Sequence, residues 1–249
     1  MSSRRFFIRP EEIEHGFVRL TGDEAHHLRS VLRLAAGEEI TLFDGTGNRF
    51  LARIDTISKT LVSATVISQG RSPLPKVRVE LGQALLKGQK MELILQKITE
   101  LGIDAIRPFF AEHGLQKIQT DSKIERWERI VLEACKQCDR AMPPRIHLPR
   151  KISELHNEIP PYDLKLFFWE QESRQTLDEV LAGQEGKISS ALFLVGPEGG
   201  FSAAEAAEAQ AKGFLPVSLG SRILRAETAT IAASAILQFM LGNLSPQEK

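Results

Sequence analysis

From residue 76 onward, short apolar runs alternate with stretches of helical periodicity, and this alternation constrains the fold more than any other feature of the chain. Strands separated by helices are typical of βαβ units, which build a mainly parallel sheet. The predicted strands lie at 77–81, 103–110, 164–169, 191–195 and 215–219. We therefore expect an α/β domain in this part of the chain.

The first 70 residues have a different, strand-rich pattern, with one short helix predicted at 26–34. Runs at 39–43, 48–56 and 60–68 alternate as half-buried strands do, and the Asp-Gly-Thr-Gly sequence at 44–47 is typical of a hairpin turn. This pattern predicts a small barrel or sandwich. Because residues 69–75 have the glycine, serine and proline content of a linker, we predict two domains, 1–72 and 73–249.

Three pairs of residues have the spacing of a capping box, in which a serine or threonine and a glutamate three residues later satisfy helix N-terminal donors. The pairs are Thr21 with Glu24, Ser122 with Glu125, and Ser202 with Glu205. A further helix is predicted at 87–101, where the apolar residues share one face and Gly102 is placed to end it.

The composition, 42% hydrophobic with a formal net charge of +0, argues against a protein held to nucleic acid by bulk basicity. No apolar run approaches the roughly 20 residues that cross a bilayer, and the N-terminus lacks the apolar stretch of a signal peptide, so we expect neither membrane insertion nor secretion. Cys135 and Cys138 have a CxxC spacing but lie in a helical pattern without a second pair. Cys135 is most simply a core residue, and no metal is expected.

The segment LFLVGPEGGFS at 192–202 places a glycine-rich turn directly after an apolar strand. In an open α/β sheet, ligands bind at the carboxyl ends of strands, where glycines let a ligand approach the backbone. The same pattern also fits a tight turn that only connects two elements. A dinucleotide fingerprint is absent, and the Glu198 carboxylate would repel a pyrophosphate.

A second loop, LGSRILRAETA at 219–229, follows the last predicted strand. Arg222 and Arg225 flank two apolar residues just before an apolar helix, which favours at least one arginine facing an anionic group. Glu227 falls in the first turn of that helix, where the helix dipole alone would favour a carboxylate.

These two loops, together with the N-terminal segments RRFFI and HHLRSVLRL, resemble the RsmE family of bacterial ribosomal RNA methyltransferases in the SPOUT superfamily. The resemblance spans nearly the whole chain, and Gln137, Arg140 and Pro143 match a further family segment. The chain departs from the family at 112–117, where an arginine-serine pair is expected.

The resemblance implies an N-terminal PUA-like β-barrel that binds RNA and a C-terminal SPOUT α/β domain with a deep trefoil knot. It implies a cytoplasmic homodimer that methylates N3 of a uridine in 16S ribosomal RNA or the small ribosomal subunit. The cofactor would be S-adenosyl-L-methionine. The residues carried over to the cofactor site are Trp169, Glu170, Leu194, Val195, Gly196, Pro197, Gly199, Gly200, Leu219, Gly220, Ile223, Leu224, Ala226 and Thr228.

Methylation of uridine N3 requires loss of an imide proton, which leaves negative charge on the flanking carbonyl oxygens. A fixed arginine would stabilise that charge, and we expect Arg225, or else Arg222, in this role. We expect Glu227 to position the base or relay the proton. In the first domain, the spacing of His26, Arg29 and Arg33 predicts one basic face on the short helix. A basic cluster is expected to contact RNA phosphates: Arg4, Arg5, Arg9, His26, Arg29 and Arg33.

Two other classes of function fit the sequence less well. A noncatalytic RNA-binding assembly factor would keep the barrel, but the chain retains both C-terminal loops. A dehydrogenase with a nucleotide-binding sheet would need the missing fingerprint. A cofactor-binding measurement distinguishes the three functions: a methyltransferase binds S-adenosylmethionine, an assembly factor binds no cofactor, and a dehydrogenase binds a nicotinamide nucleotide.

Overall fold

The computed structural model describes residues 4–118, 120–172, 175–184 and 187–245 and divides the chain into two compact units. The first unit comprises Met1–Leu74 and Leu132–Pro143, and the second comprises Pro75–Val131 and Pro144–Lys249. The stretch Leu132–Pro143, which the sequence-based division assigns to the second domain, therefore groups with the first unit.

The first unit contains one six-stranded sheet. Its strands are β1 (Arg5–Phe7), β2 (Ile13–Glu14), β3 (Phe17–Thr21), β4 (Glu39–Phe43), β5 (Asn48–Ile57) and β6 (Leu61–Arg71). Their order is β1-β4-β5-β6-β3-β2, and only the β1–β4 ladder is parallel. The three predicted strand runs are confirmed. However, β6 extends into the predicted linker, because residues 69–71 pair with the start of β5.

Alternate residues of β3, β4, β5 and β6 point into a single hydrophobic core, which Phe6 of β1 also joins. Val18, Leu42, Ala52 and Val62 are all completely buried there. One face of the sheet thus supplies one common core, which fits the small barrel or sandwich that the sequence pattern predicts.

The helical segment after β3 differs from the prediction. Helix α1 (Gly22–His26) is followed by a π-helical turn at His27–Val31, and no helix reaches residue 34. Thr21 makes no side-chain cap, so the capping box predicted there is wrong. The Glu24 carboxylate instead accepts a hydrogen bond from the buried Lys136 ammonium group.

The second unit contains a seven-stranded, all-parallel sheet, as the sequence predicts. Its strands are β7 (Arg78–Ala84), β8 (Ala105–Phe110), β9 (Arg145–Ile146), β10 (Arg150–Lys151), β11 (Leu164–Phe168), β12 (Ser190–Val195) and β13 (Leu215–Val217). The order is β10-β8-β7-β12-β11-β13, and β9 also pairs with β8. The chain thus crosses between non-neighbouring strands several times.

Five of the remaining described helices lie between strands of this sheet, and a sixth follows the last strand. They are α2 (Lys90–Glu100), α3 (Thr120–Cys138), α4 (Ile152–Glu158), α5 (Leu177–Ala182), α6 (Ala203–Ala211) and α7 (Ala226–Met240). Gly102 follows α2 with φ +84°, as predicted for a helix-ending glycine. Ser122 lies inside α3, so the capping box predicted there is wrong. In the part of the chain that the structure describes, no helix combines the length and apolar character needed to cross a membrane.

Two buried features confirm expectations about the core. Cys135 is completely buried, and burial raises the pKa of its thiol to about 12, so it is a core residue. Helix α7 docks on β7 through the Thr230 hydroxyl, which lies 2.6 Å from Gln83 Oε1, with both side chains buried. The loops that flank β7 and α7 are therefore held in fixed positions.

Candidate active site

The carboxyl ends of three neighbouring strands meet at one edge of the parallel sheet. Phe168, the last residue of β11, pairs with Val195 of β12 on one side and Val217 of β13 on the other. The loops that follow these strands therefore begin side by side. This is the edge at which open α/β sheets bind ligands.

The glycine-rich loop after β12 leaves no room for side chains. A Cβ atom on Gly200 would lie 1.9 Å from Oε1 of Glu170, and Gly200 has φ +72°. A Cβ on Gly199 would lie 2.8 Å from the Cβ of His113. The glycines thus allow three loops to pack closely, and α6 begins directly after them with the predicted capping box of Ser202 and Glu205, which is confirmed.

The segment at 112–117, where the sequence departs from the family pattern, packs against this glycine-rich loop. Nδ1 of His113 lies 3.2 Å from the carbonyl oxygen of Gly199. The backbone N–H of Glu112 donates to Oε1 of the buried Glu205 at 2.8 Å. The Gln116 side chain donates to the Ala111 carbonyl at 2.7 Å. The segment is therefore well anchored without the arginine-serine pair.

Trp169 lies directly after β11 and forms one wall of the same edge. Its indole ring is tilted against the ring of Phe167, with centroids 5.9 Å apart. Nε1 of the indole is buried and has no hydrogen-bond acceptor among the described residues. A buried donor without a partner costs free energy, which identifies this N–H as a group available to a ligand.

The loop after β13 presents exposed side chains just before α7. Gly220 has φ +99°, and Ile223 is 88% exposed although it is apolar. Arg222 and Arg225 are both exposed, and neither guanidinium makes an ion pair or hydrogen bond within the described ranges. These are the cations best placed to meet an anionic ligand.

A lysine that the sequence analysis did not single out joins two loops of this edge. Nζ of Lys90 lies 3.0 Å from Oε1 of Glu198 in the glycine-rich loop and 3.6 Å from Oε2 of Glu227 in the first turn of α7. Burial raises the pKa of Glu198, but the hydrogen bond and charge of Lys90, together with backbone hydrogen bonds, outweigh burial and hold that pKa below its ordinary value. The Lys90 pKa is raised, chiefly by the same bond.

The structure separates the predicted cofactor residues into two groups. Leu194 is completely buried within β12, and its side chain packs where a Cβ on Gly82 would lie 2.3 Å away. It therefore acts as a core residue rather than a side-chain contact to a ligand. The others lie in or beside the three loops: Trp169, Glu170, Val195, Gly196, Pro197, Gly199, Gly200, Leu219, Gly220, Ile223, Leu224, Ala226 and Thr228.

The predicted RNA-contacting residues of the first unit are largely engaged within that unit. Arg5 donates to the carbonyl oxygens of Lys136 and Gln137 and pairs with Asp139 at 2.9 Å, so its guanidinium group already has partners within the unit. Arg4 pairs with Glu38 at 2.9 Å, and Arg29 donates to the carbonyl of Lys59. Three members have exposed side chains without such contacts in the described ranges: Arg9, His26 and Arg33.

The predicted alignment of His26, Arg29 and Arg33 on one helix face is wrong. The backbone N–H of Leu32 bonds the carbonyl of His27, five residues earlier, so the turn is wider than an α-helical one. Arg33 lies beyond this turn and has φ +52°. The three side chains therefore do not follow α-helical spacing.

Comparison with known proteins gives consistent matches to both units. Residues 72–238 match the family described as the RNA methyltransferase domain, and residues 20–67 match the RNA methyltransferase PUA domain. The chain is 36% identical over 240 residues to ribosomal RNA small subunit methyltransferase E of Synechocystis, with 95% of this chain and 78% of the relative covered.

Two solved structures are similar over nearly their whole length. One is ribosomal RNA small subunit methyltransferase E of Neisseria gonorrhoeae bound to S-adenosyl methionine, with TM-score 0.87, 32% identity, and coverage of 97% of this chain and 99% of that one. The other is a methyltransferase of Legionella pneumophila in complex with the same cofactor, with TM-score 0.86, 32% identity, and coverage of 96% and 98%.

Proposed function

The chain belongs to the ribosomal RNA small subunit methyltransferase E family, and from that premise we propose that it transfers a methyl group from S-adenosyl-L-methionine to N3 of a uridine in 16S ribosomal RNA. Family membership supports methyl transfer to ribosomal RNA, and the position on the base is our extension. The observation that carries the proposal is a pair of exposed guanidinium groups, Arg222 and Arg225, that find no partner among the described residues and follow β13 at the edge of the sheet where the glycine-rich loop also begins.

The residues at the sheet edge fit the proposed cofactor. The buried Nε1 of Trp169 needs an acceptor, and the close approach of Gly199 and Gly200 to neighbouring loops leaves backbone groups accessible where side chains would block them. The exposed Ile223 offers apolar surface for an adenine ring. When bound, S-adenosylmethionine supplies a sulfonium-activated methyl group.

The residues proposed to stabilise charge and to move the proton lie at the start of α7. Arg225 is the last residue before the helix, and we propose that it stabilises the negative charge that develops on the uracil carbonyl oxygens, with Arg222 as the second choice. Oε2 of Glu227 is buried and makes no hydrogen bond within the described residues, although Nζ of Lys90 lies 3.6 Å away as an ion-pair partner. It therefore keeps the capacity to accept a hydrogen bond from the base or to relay its N3 proton.

RNA binding by the first unit forms part of the proposal. Its match to the RNA methyltransferase PUA domain supports this role. Within the basic cluster, we propose that the exposed side chains of Arg9, His26 and Arg33 contact RNA phosphates. Arg4 and Arg29 can add phosphate contacts while they keep their contacts to Glu38 and Lys59.

We further propose that the protein is a homodimer. Phe239 on α7 is 70% exposed, and Ile236 on the same helix and Leu93 on α2 are also exposed. A second copy covering this apolar surface would account for it. Family resemblance also supports a trefoil knot in the second unit, where the chain crosses between non-neighbouring strands, and a cytoplasmic location alongside the ribosomal substrate.

The test is methyl transfer from labelled S-adenosylmethionine to small ribosomal subunits, naked ribosomal RNA and transfer RNA, followed by nucleoside mass spectrometry. We expect 3-methyluridine from a ribosomal substrate, and the preferred substrate shows whether the enzyme acts before or after assembly. Label at another position of uridine would contradict the N3 assignment. Cofactor binding without transfer to any RNA would contradict catalysis and favour a noncatalytic RNA-binding role.

A further inference from the structure

Lys90 occupies a position that helix electrostatics disfavour. It is the first residue of α2, at the positive end of the helix dipole, where a cation is destabilising. Carboxylates are the groups favoured at this end of a helix, and both Glu92 in the first turn of α2 and Glu227 in the first turn of α7 follow that preference. A lysine at this place in α2 therefore requires an offsetting interaction.

That interaction comes from two carboxylates on two different segments. Glu198 belongs to the glycine-rich loop after β12, and Glu227 belongs to the first turn of α7. The Lys90 ammonium group lies 3.0 Å from the first and 3.6 Å from the second. The Glu227 side chain is 14% exposed and the Glu198 side chain is 34% exposed, so solvent screens the Lys90 charge less at Glu227 than at Glu198.

We propose that Lys90 is a positioning residue that clamps the Glu198 and Glu227 carboxylates, and with them the glycine-rich loop and the start of α7, in the arrangement needed for methyl transfer. This inference rests on the proposed function. Lys90 acts through Glu227, which it keeps oriented beside Arg225 and the reacting base. No covalent step involves the lysine.

The first experiment requires no activity. Carboxyl ¹³C NMR follows the titration of Glu198, assigned with Glu198→Gln, in wild type, Lys90→Met and Lys97→Met. Lys97 is a matched control, because it lies on the same helix, pairs with Glu100, and has the same 36% side-chain exposure. Loss of the Lys90 cation raises the pKa of Glu198, whereas Lys97→Met leaves it unchanged. An unchanged Glu198 titration in Lys90→Met overturns the clamp.

The second experiment measures single-turnover methyl transfer at saturating cofactor. We expect Lys90→Met to slow transfer about 10- to 100-fold, a loss typical of a misplaced catalytic group, and Lys90→Arg to restore most of the rate. Because Lys90 acts through Glu227, Lys90→Met should slow transfer no further in a Glu227→Gln background. A wild-type rate in Lys90→Met, or effects that multiply in the double variant, overturns the positioning role.

The two experiments separate this inference from the proposed function. A wild-type protein that methylates no RNA contradicts the function, and the Glu198 titration then still decides whether the clamp exists. Normal methylation by wild type together with an unaffected Lys90→Met variant contradicts the inference alone.

Discussion

Arginine side chains near the N-terminus and those after β13 differ in what they contact. In the first unit, Arg5 makes three contacts to the 136–139 stretch and Arg29 donates to a loop carbonyl. In the second unit, Arg222 and Arg225 make no ion pair within the described ranges. The sequence presents both sets as basic clusters. Only the structure separates arginines that stabilise the fold from arginines left for a ligand.

The largest expected effect is on Arg225. Arg225→Ala should reduce methyl transfer about 100- to 1,000-fold, because it removes the cation proposed to stabilise charge in the transition state. Cofactor affinity, measured by calorimetry, should be nearly unchanged. The same substitution at Arg222 is the internal comparison. If Arg222→Ala is the more damaging of the two, their proposed roles are reversed, and full turnover in Arg225→Ala contradicts the catalytic assignment.

The next effect is on stability rather than on catalysis. Arg5→Ala should lower the free energy of unfolding of the first unit by about 1–3 kcal/mol, because it removes the donor to the part-buried Lys136 carbonyl and one of the two arginines that pair with Asp139, the other being Arg49. Arg53→Ala is the control, since Arg53 makes only an exposed ion pair with Glu39, worth at most about 1 kcal/mol. Denaturant titration measures both. Equal losses would remove the distinction between the two kinds of arginine.

A smaller effect is expected in RNA binding. Arg33→Ala should reduce the slope of log affinity against log salt by about 0.7, the value for one phosphate of a single strand. Arg29→Ala should reduce it less, because Arg29 is already engaged by the Lys59 carbonyl. In the double variant Arg29→Ala plus Arg33→Ala, the reduction in slope should equal the sum of the two single reductions. If all three leave the slope unchanged, RNA does not contact this cluster.

The smallest expected effect concerns Asp163, a carboxylate of the second unit that accepts hydrogen bonds from two serines. Hydrogen bonds from Ser189 and Ser190 lower the pKa of Asp163 from 3.8 to about 2. A lowered pKa stabilises the folded state above the ordinary value, and this contribution disappears as pH falls through about 2. The denaturation midpoints of wild type and Asp163→Asn should therefore differ at neutral pH and converge in acid. A difference between the two midpoints that stays the same from neutral to acid pH would contradict this contribution of Asp163.

Strand periodicity predicted much of the fold. The runs in the first unit and the parallel sheet of the second were predictable because alternating burial and βαβ spacing are written locally in the chain. Two of three capping boxes failed. Glu24 is taken by Lys136, more than 100 residues away, and Ser122 lies within a helix that starts earlier. Competition from distant partners is not visible in a four-residue pattern.

The candidate site was predictable where a loop follows a strand, since the edge of a parallel sheet gathers such loops. Lys90 was missed because its significance depends on two carboxylates 108 and 137 residues further along the chain. One local signal could have revealed it, namely a lysine at the first position of a helix. By contrast, no local sequence pattern indicated the π-helical turn at His27–Val31. Because that turn is wider than an α-helical turn, the basic side chains do not share the face that α-helical spacing predicts.

The stretch Leu132–Pro143 makes the first unit depend on the order in which a ribosome produces the chain. The six strands of that unit end at Arg71, but the partners of Arg5, Arg49 and Glu24 lie at 136–139. At about 5–20 residues per second, those partners emerge several seconds after the last strand. The first unit must therefore wait for its own second stretch, which is synthesised only after Pro75–Val131 of the second unit, before it can finish folding. A fragment cut at the linker would be an unfinished domain.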